Sequence, residues 1–376
     1  MQRRDTTHQR SSWFLFAILL LSLFLVGAAA QNAPVGDAFP PQVAAPKATT
    51  SPQQDPAKRD SAKQDSIQPD PGNKTPAQDQ AGQGQAGQGQ EDNGTFVFHK
   101  QVEEVVLHAT VVDDKQRMVM NLDKSDFNVF EDGKPQNIVS FRREDIPVAM
   151  GVVIDNSGSM REKRDKVNKA AINLVKSSNP QDEVFIVNFN DEYYLDQDFT
   201  NDLSKMREAL EKVDTRGGTA LYDAVVASAD HLKKNARLEK RVLFVVTDGE
   251  DNESQESLEQ AIRRLQEENG PTVYAIGLLG DEKARRARKA LQFIAEKTGG
   301  IAFFPKTLDQ VDEISRQVAH DIRNQYTIGY KPTNPKSTGG YRAIRVDAKA
   351  KGYGKLTVRT KSGYYAGQER AASTDK

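Results

Sequence analysis

Three short polar segments carry residue types that could hold a hard metal ion. Asp155, Ser157 and Ser159 alternate directly after an apolar run, and Asp248 follows a second apolar run. Thr219 comes directly after a pair of glycines, which permit a tight turn. Carboxylate and hydroxyl oxygens are the ligands that Mg²⁺ and similar hard cations prefer. These five residues therefore predict an all-oxygen metal site.

The composition excludes several other kinds of site. The chain of 376 residues has no cysteine, which excludes disulfides, thiolate zinc sites, Fe–S clusters and a cysteine nucleophile. The 5 histidines are scattered without metal-ligand spacing, so a histidine zinc site is not indicated. The net charge of −1 gives no basic excess for nucleic acid. We therefore expect neither a nucleic-acid partner nor an organic cofactor.

The elements that position the candidate residues belong to an α/β pattern. Short continuous apolar runs are typical of buried parallel strands, and amphipathic stripes between them, such as Leu258 to Leu265, predict helices. The pattern predicts a doubly wound, mostly parallel sheet, in which ligands bind at the carboxyl ends of the strands. The runs are 148–154, 184–189, 242–246, 273–276 and 301–304.

Both ends of the folded part show alternating, strand-like patterns. Residues 105–112 alternate, and 128–141 reads as a hairpin around the turn Asp132-Gly133. Residues 326–330, 341–346 and 355–359 alternate in the same way. Two or three strands are marginally stable alone. We therefore expect both ends to join in one small β-sandwich-like region beside the α/β domain.

Three motifs, taken in order, resemble the von Willebrand factor A domain. They are D-x-S-x-S from Asp155, G-G-T-x-L-x-D from Gly217 and T-D-G from Thr247, and the resemblance covers about 147–324. In that family these motifs form a metal-ion-dependent adhesion site on a doubly wound sheet. The resemblance therefore implies a binding protein without catalytic residues.

The resemblance also implies a role for each candidate residue. Ser157, Ser159 and Thr219 would contact the metal, and Asp155 and Asp248 would act directly or through water. An Asp or Glu carboxylate of a protein partner would complete the shell. Neutral hydroxyl ligands leave the charge of the ion under-neutralised, so the ion still attracts that external carboxylate. Ligand hardness favours Mg²⁺, with Mn²⁺ or Ca²⁺ as alternatives.

The N-terminal residues predict export. Arg3, Arg4 and Arg10 precede an apolar run that ends at Ala28-Ala29-Ala30, which is the pattern of a secretory signal. The alternative is an uncleaved anchor at 13–30, just long enough to span a bilayer. The expected location is the periplasm, the cell envelope or the exterior. Residues 126–136 are similar to those of exported A-domain proteins of acidobacterial type.

The predicted organisation follows from these patterns. Residues 31–94 are rich in Pro, Gln, Ala, Asp and Lys and cannot bury enough apolar surface to fold. The predicted parts are a signal peptide or anchor at 1–30, a disordered linker at 31–94, an N-terminal β region at 95–145, an A domain at 146–324, C-terminal strands at 325–366 and a disordered tail at 367–376.

Two other functions remain open on the sequence. One is a structural cell-envelope scaffold whose metal site is unused. The other is a metal-dependent phosphatase with Asp155 as nucleophile and Asp248 on the metal. The phosphatase loop requires a second Asp two residues after the nucleophile, and Ser157 stands there.

Overall fold

The computed structural model describes residues 103–143, 145–280 and 284–367. The predicted signal peptide or anchor, the predicted linker and residues 368–376 of the predicted tail lie outside this part of the chain. Within the described ranges, no helix is long and apolar enough to cross a membrane. The prediction of export rests on residues 1–30 and stays a prediction.

The described residues form thirteen strands and six α-helices. The strands are β1 (Val105–Val112), β2 (Phe127–Glu131), β3 (Lys134–Arg142), β4 (Val148–Asp155), β5 (Glu183–Phe189), β6 (Tyr193–Thr200), β7 (Lys240–Thr247), β8 (Thr272–Gly277), β9 (Ala302–Phe303), β10 (Tyr326–Lys331), β11 (Gly340–Ala348), β12 (Thr357–Arg359) and β13 (Gly363–Ala366). The helices are α1 (Arg164–Ser177), α2 (Leu203–Glu211), α3 (Leu221–Asn235), α4 (Leu258–Leu265), α5 (Arg285–Thr298) and α6 (Gln310–Arg323).

Six strands form the sheet of the α/β domain, in the order β6-β5-β4-β7-β8-β9. All neighbours pair in parallel except β6, which runs antiparallel to β5 at the edge. The chain builds outward from β4 in one direction and returns to start β7 on its other side. The carboxyl ends of β4 and β7 therefore flank the topological switch point, where such sheets bind ligands. The predicted fold class is confirmed.

Burial on both faces explains why the strands of this domain read as continuous apolar runs. All eight residues of β4 are buried. Alternate residues face opposite cores: Met150 and Val152 pack with α1, α2 and α6, while Ala149 and Val153 pack with α3, α4 and α5. A polar side chain in the middle of β4 would lose its hydration without gaining a hydrogen-bond partner. The polar side chain of this strand, Asp155, accordingly stands at its carboxyl end.

The other seven strands form one antiparallel sheet, in the order β12-β1-β10-β3-β2-β11-β13. Strands from both ends of the chain pair with each other, β10 with β1 and β3 and β11 with β2, as the joining of the two ends predicts. The sheet curls, because β12 at one edge contacts β11, which is next to the opposite edge. Its concave core contains Leu107, Val129 and Ile328. The expected β-sandwich-like region is thus a single curled sheet.

The turn between β2 and β3 has the geometry that its two residues favour. Asp132 has φ +49° and Gly133 has φ +77°. Two successive positive φ values define a type I′ turn, which matches the twist of a hairpin and is favoured by Asp-Gly. Glu131 and Lys134 are therefore direct cross-strand partners, and the predicted hairpin is confirmed.

Candidate metal centre

Asp155 ends β4 and is fully buried. Its Oδ1 accepts a hydrogen bond from the Ser157 amide at 2.8 Å, and its Oδ2 accepts one from the Thr247 hydroxyl at 2.6 Å. Burial raises the pKa of Asp155, while the hydrogen bonds from Thr247 and Ser157 act in the opposite direction. The carboxylate thus joins the end of β4 to the end of β7 through neutral donors.

Ser157, Ser159 and Asp248 form a chain of hydrogen-bonded oxygens at the same edge. The hydroxyl oxygens of Ser157 and Ser159 lie 3.1 Å apart, and the Ser159 hydroxyl donates to Asp248 Oδ1 at 2.7 Å. Gly158 stands between the two serines and starts a short 3-10 turn. Two loops that are far apart in sequence therefore present three polar atoms within hydrogen-bonding distance.

Thr219 reaches this edge through a separate loop before α3. Gly217 has φ +72°, and its carbonyl accepts from the Gly158 amide at 3.2 Å, which joins this loop to the one after β4. Gly249, the residue after Asp248, leaves room for the Thr219 hydroxyl. A Cβ atom at position 249 would stand only 3.2 Å from the hydroxyl oxygen. Among the described residues, the Thr219 hydroxyl makes no hydrogen bond to the other four candidates.

Other acidic residues near the edge hold the loops in shape. Asp223 accepts from the Gln255 and Glu256 amides at 3.0 and 2.9 Å, and Asp251 accepts from the Tyr222 amide at 3.0 Å. These carboxylates bond to the backbone instead of converging with Asp248. They explain how the loop after β7 packs on the start of α3.

The sequence did not indicate two basic residues beside the candidate centre. Lys163 forms an ion pair with Asp248 and donates to the Ser159 carbonyl at 3.1 Å. Arg164 is buried behind Asp155 and donates to the Asn188 side chain at 2.9 Å. Burial lowers the pKa of Arg164 to about 10, so it stays charged at neutral pH. Ser159 and Lys163 are four residues apart in the sequence. This spacing was the feature from which the contact between Lys163 and the Ser159 carbonyl could have been predicted.

The donor set fits a hard cation. The five predicted residues, here called the candidate centre, supply two carboxylates and three hydroxyls, all of them oxygen donors. Four of the five are linked by hydrogen bonds, and Thr219 lies beside Gly249. Throughout the described ranges, no group of three or more His, Cys, Asp or Glu side chains could hold a metal. A metal here would therefore depend on the hydroxyls.

A known family matches part of the α/β domain. Residues 150–250 match the family described as the von Willebrand factor type A domain. This match spans β4 to β7 and contains all five residues of the candidate centre. This part of the chain is therefore similar to the von Willebrand factor type A domain.

Individual relatives are distant. A probable bifunctional E2/E3 enzyme of Acanthamoeba polyphaga mimivirus is 27% identical over 161 residues, which are 41% of this chain and 12% of that protein. The chain therefore spans about an eighth of that relative.

Solved structures with a similar arrangement are also distant in sequence. A von Willebrand factor type A protein of Catenulispora acidiphila is 12% identical, with a TM-score of 0.41, over 72% of this chain and 74% of that one. The domain of the pili tip protein Mfa5 of Porphyromonas gingivalis is 13% identical, with a TM-score of 0.40, over 47% and 97%. The PilB minor pilin of Streptococcus sanguinis is 13% identical, with a TM-score of 0.41, over 49% and 63%. This chain thus covers less than two thirds of that pilin.

Proposed function

We propose that the candidate centre binds a divalent cation, Mg²⁺ in the first place, and that the bound ion holds a carboxylate of a protein partner. The observation that carries the proposal is the chain of contacts from Asp155 through Ser157 and Ser159 to Asp248 at the switch point of the sheet. Oxygen atoms of two separate loops meet there without histidine or cysteine, which suits a hard ion.

Charge and exposure support a binding role for this edge. Asp155 is fully buried, whereas Ser159 is exposed. Ser159 therefore stands on the side of the solvent from which a partner would arrive, whereas Ser157 and Thr219 are buried. An ion held mainly by neutral hydroxyls keeps most of its positive charge and attracts an anionic ligand. A partner Asp or Glu supplies such a ligand.

The geometry gives no support to the phosphatase alternative. Both carboxylate oxygens of Asp155 accept hydrogen bonds, one from Ser157 and one from Thr247. A nucleophile needs an oxygen that can approach the substrate. Asp155 is instead placed to orient the loops, and Ser157 stands where a general acid would be needed.

The first test measures thermal unfolding in Mg²⁺, in Mn²⁺ and in chelator. Magnesium at a hundred times its Kd should stabilise the wild-type protein by about 2.7 kcal/mol. We expect Ser157→Ala/Ser159→Ala to abolish this stabilisation. The control Ser125→Ala/Ser204→Ala removes two exposed hydroxyls away from the centre and should keep it. Equal stabilisation of both double variants would rule the centre out as the metal site.

The second test concerns the partner. A peptide array in which every Asp-bearing peptide is paired with its Asn counterpart is probed with the protein in Mg²⁺ and in chelator. The proposal predicts spots that need both the carboxylate and the metal. Binding that survives chelator, or that does not distinguish Asp from Asn, would contradict it.

A further inference from the structure

Lys163 places the chain's own cation on a carboxylate of the candidate centre. Its ammonium pairs with Asp248 Oδ2, while Asp248 Oδ1 accepts from the Ser159 hydroxyl at 2.7 Å. The Asp248 side chain is fully buried, and that of Lys163 is 28% exposed. The carboxylate is therefore fixed, whereas the lysine has a flexible stem and an open route to solvent.

The position of Lys163 is not explained by the stability of the helix that follows. Lys163 is the residue directly before α1, and its side chain makes no capping hydrogen bond. Positive charge at a helix N-terminus is unfavourable, because the backbone amides there carry partial positive charge. The ion pair with Asp248 and the bond to the Ser159 carbonyl are the interactions that favour a lysine here.

We propose that Lys163 is a tethered counter-cation that competes with the divalent ion for Asp248. This inference rests on the proposed function, because it concerns the regulation of the same centre. An ammonium and a metal ion cannot share one carboxylate at close range, since their repulsion is large in a partly buried site. Metal binding therefore requires the ammonium to leave, and the affinity is lower than the oxygen ligands alone would give.

The competition makes the centre respond to the concentration of divalent ions. At low concentration Lys163 neutralises Asp248 and keeps the loop after β7 close to the start of α1. At higher concentration the ion replaces it, and the ammonium moves toward solvent beside the ion. Replacing Lys163 should consequently destabilise the metal-free protein and leave the metal-bound protein equally or more stable.

The test is a calorimetric titration of Mg²⁺ into the full chain. Lys163→Met should lower the Kd by about 2- to 5-fold, the range expected for loss of a partly exposed ion pair that the metal must break. Lys166→Met is the matched control, because Lys166 lies three residues further on, in the first turn of α1, and pairs with Asp309 instead. Its Kd should equal that of the wild type, and Lys163→Arg should stay near it.

A second measurement separates competition from a purely structural role. In chelator, Lys163→Met should unfold at a lower temperature than the wild type, because Asp248 loses its counter-cation. In saturating Mg²⁺ it should unfold at the same or a higher temperature. A Kd that is unchanged or raised, or a lower unfolding temperature in both conditions, would overturn the inference. If neither wild type nor variants bind Mg²⁺, the proposed function itself fails.

Discussion

Two buried carboxylates in the two sheets are held by different kinds of neighbour. Glu131, in the curled antiparallel sheet, pairs with buried Arg342 at 3.2 Å and accepts from the hydroxyls of Tyr330 and Tyr364 at 2.5 and 3.1 Å. Asp155, in the parallel sheet, accepts only from a hydroxyl and from amides. Glu131 therefore has a positively charged partner, Arg342. The carboxylate oxygens of Asp155 accept hydrogen bonds from neutral groups instead.

The first carboxylate belongs to a structural network, whereas we propose that the second belongs to a binding site. Arg342 also donates to the carbonyls of Asn334 and Pro335, so its terminal nitrogens are held inside the fold. At the parallel sheet, a second acidic residue, Asp248, stands beside Asp155, and its cation is the partly exposed Lys163. The hydrogen bonds and the ion pair around Glu131 are all made by buried groups of the chain itself, so this network stabilises one conformation. A pair of carboxylates with a replaceable cation can accept an ion from solution.

The largest expected effect comes from breaking the network around Glu131. Arg342→Met would leave the Glu131 charge buried without a cation, and we expect a loss of about 3–5 kcal/mol in the free energy of unfolding. Urea titrations with and without Mg²⁺ measure it, and the loss should be the same in both. Arg345→Met is the control, since Arg345 is exposed and its pair with Asp347 should contribute at most about 1 kcal/mol. Equal losses in the two variants would contradict the assignment.

A smaller effect is expected from a third buried carboxylate, at the opposite end of β4. Asp182 accepts from the Val148 amide at 2.8 Å, and burial raises its pKa to about 6 from 3.8. The folded state therefore binds the proton more tightly than the unfolded state does. This contribution is fully present below the unfolded pKa and is lost as the pH rises through the folded pKa.

The measurement is the free energy of unfolding from pH 3 to pH 8 for the wild type and for Asp182→Asn. The difference between the two proteins should fall by on the order of 2 kcal/mol as the pH rises from about 4 to about 6. A difference that is constant over this range would show that the Asp182 pKa is close to its ordinary value.

The smallest effect concerns the one candidate residue outside the hydrogen-bonded chain. Thr219→Ala removes a hydroxyl that stands beside Gly249 and should weaken Mg²⁺ binding about 10-fold, as loss of one hydrogen-bond-sized contact to a charged group predicts. Thr219→Ser keeps the hydroxyl and should bind within about 3-fold of the wild type. Calorimetry on both variants provides the comparison. Identical affinities for the Ala and Ser variants would exclude Thr219 from the metal shell.

The features predictable from sequence are those with a local cause. Continuous apolar runs mark β4 and β7 because both faces are buried, and Asp132-Gly133 marks its turn because two positive φ values are needed there. The candidate centre was predicted for a similar local reason, since its residues lie at the ends of β4 and β7 and in the loop before α3. Strand β13 was missed, because its four residues are too few to show a period.

The features that escaped prediction are pairings between distant charges. Lys163 and Asp248 are 85 residues apart, and Glu131 and Arg342 are 211 apart. With 52 basic and 53 acidic residues in the chain, no local pattern selects which pair will meet. Such contacts depend on the packing of whole elements. The positions of the buried carboxylate Asp155 and its neighbouring hydroxyls could therefore be anticipated, whereas the cations that pair with Asp248 and Glu131 could not.

The most direct test of the account is a Mn²⁺ titration of the full chain, in which free ion is followed by electron paramagnetic resonance. The account predicts a bound ion that Mg²⁺ displaces, with binding lost in Asp155→Asn and retained in Glu131→Gln, because only the first carboxylate belongs to the candidate centre. Binding that persists in Asp155→Asn, or that disappears equally in Glu131→Gln while that variant stays folded, would contradict it. So would a wild-type protein that binds no Mn²⁺.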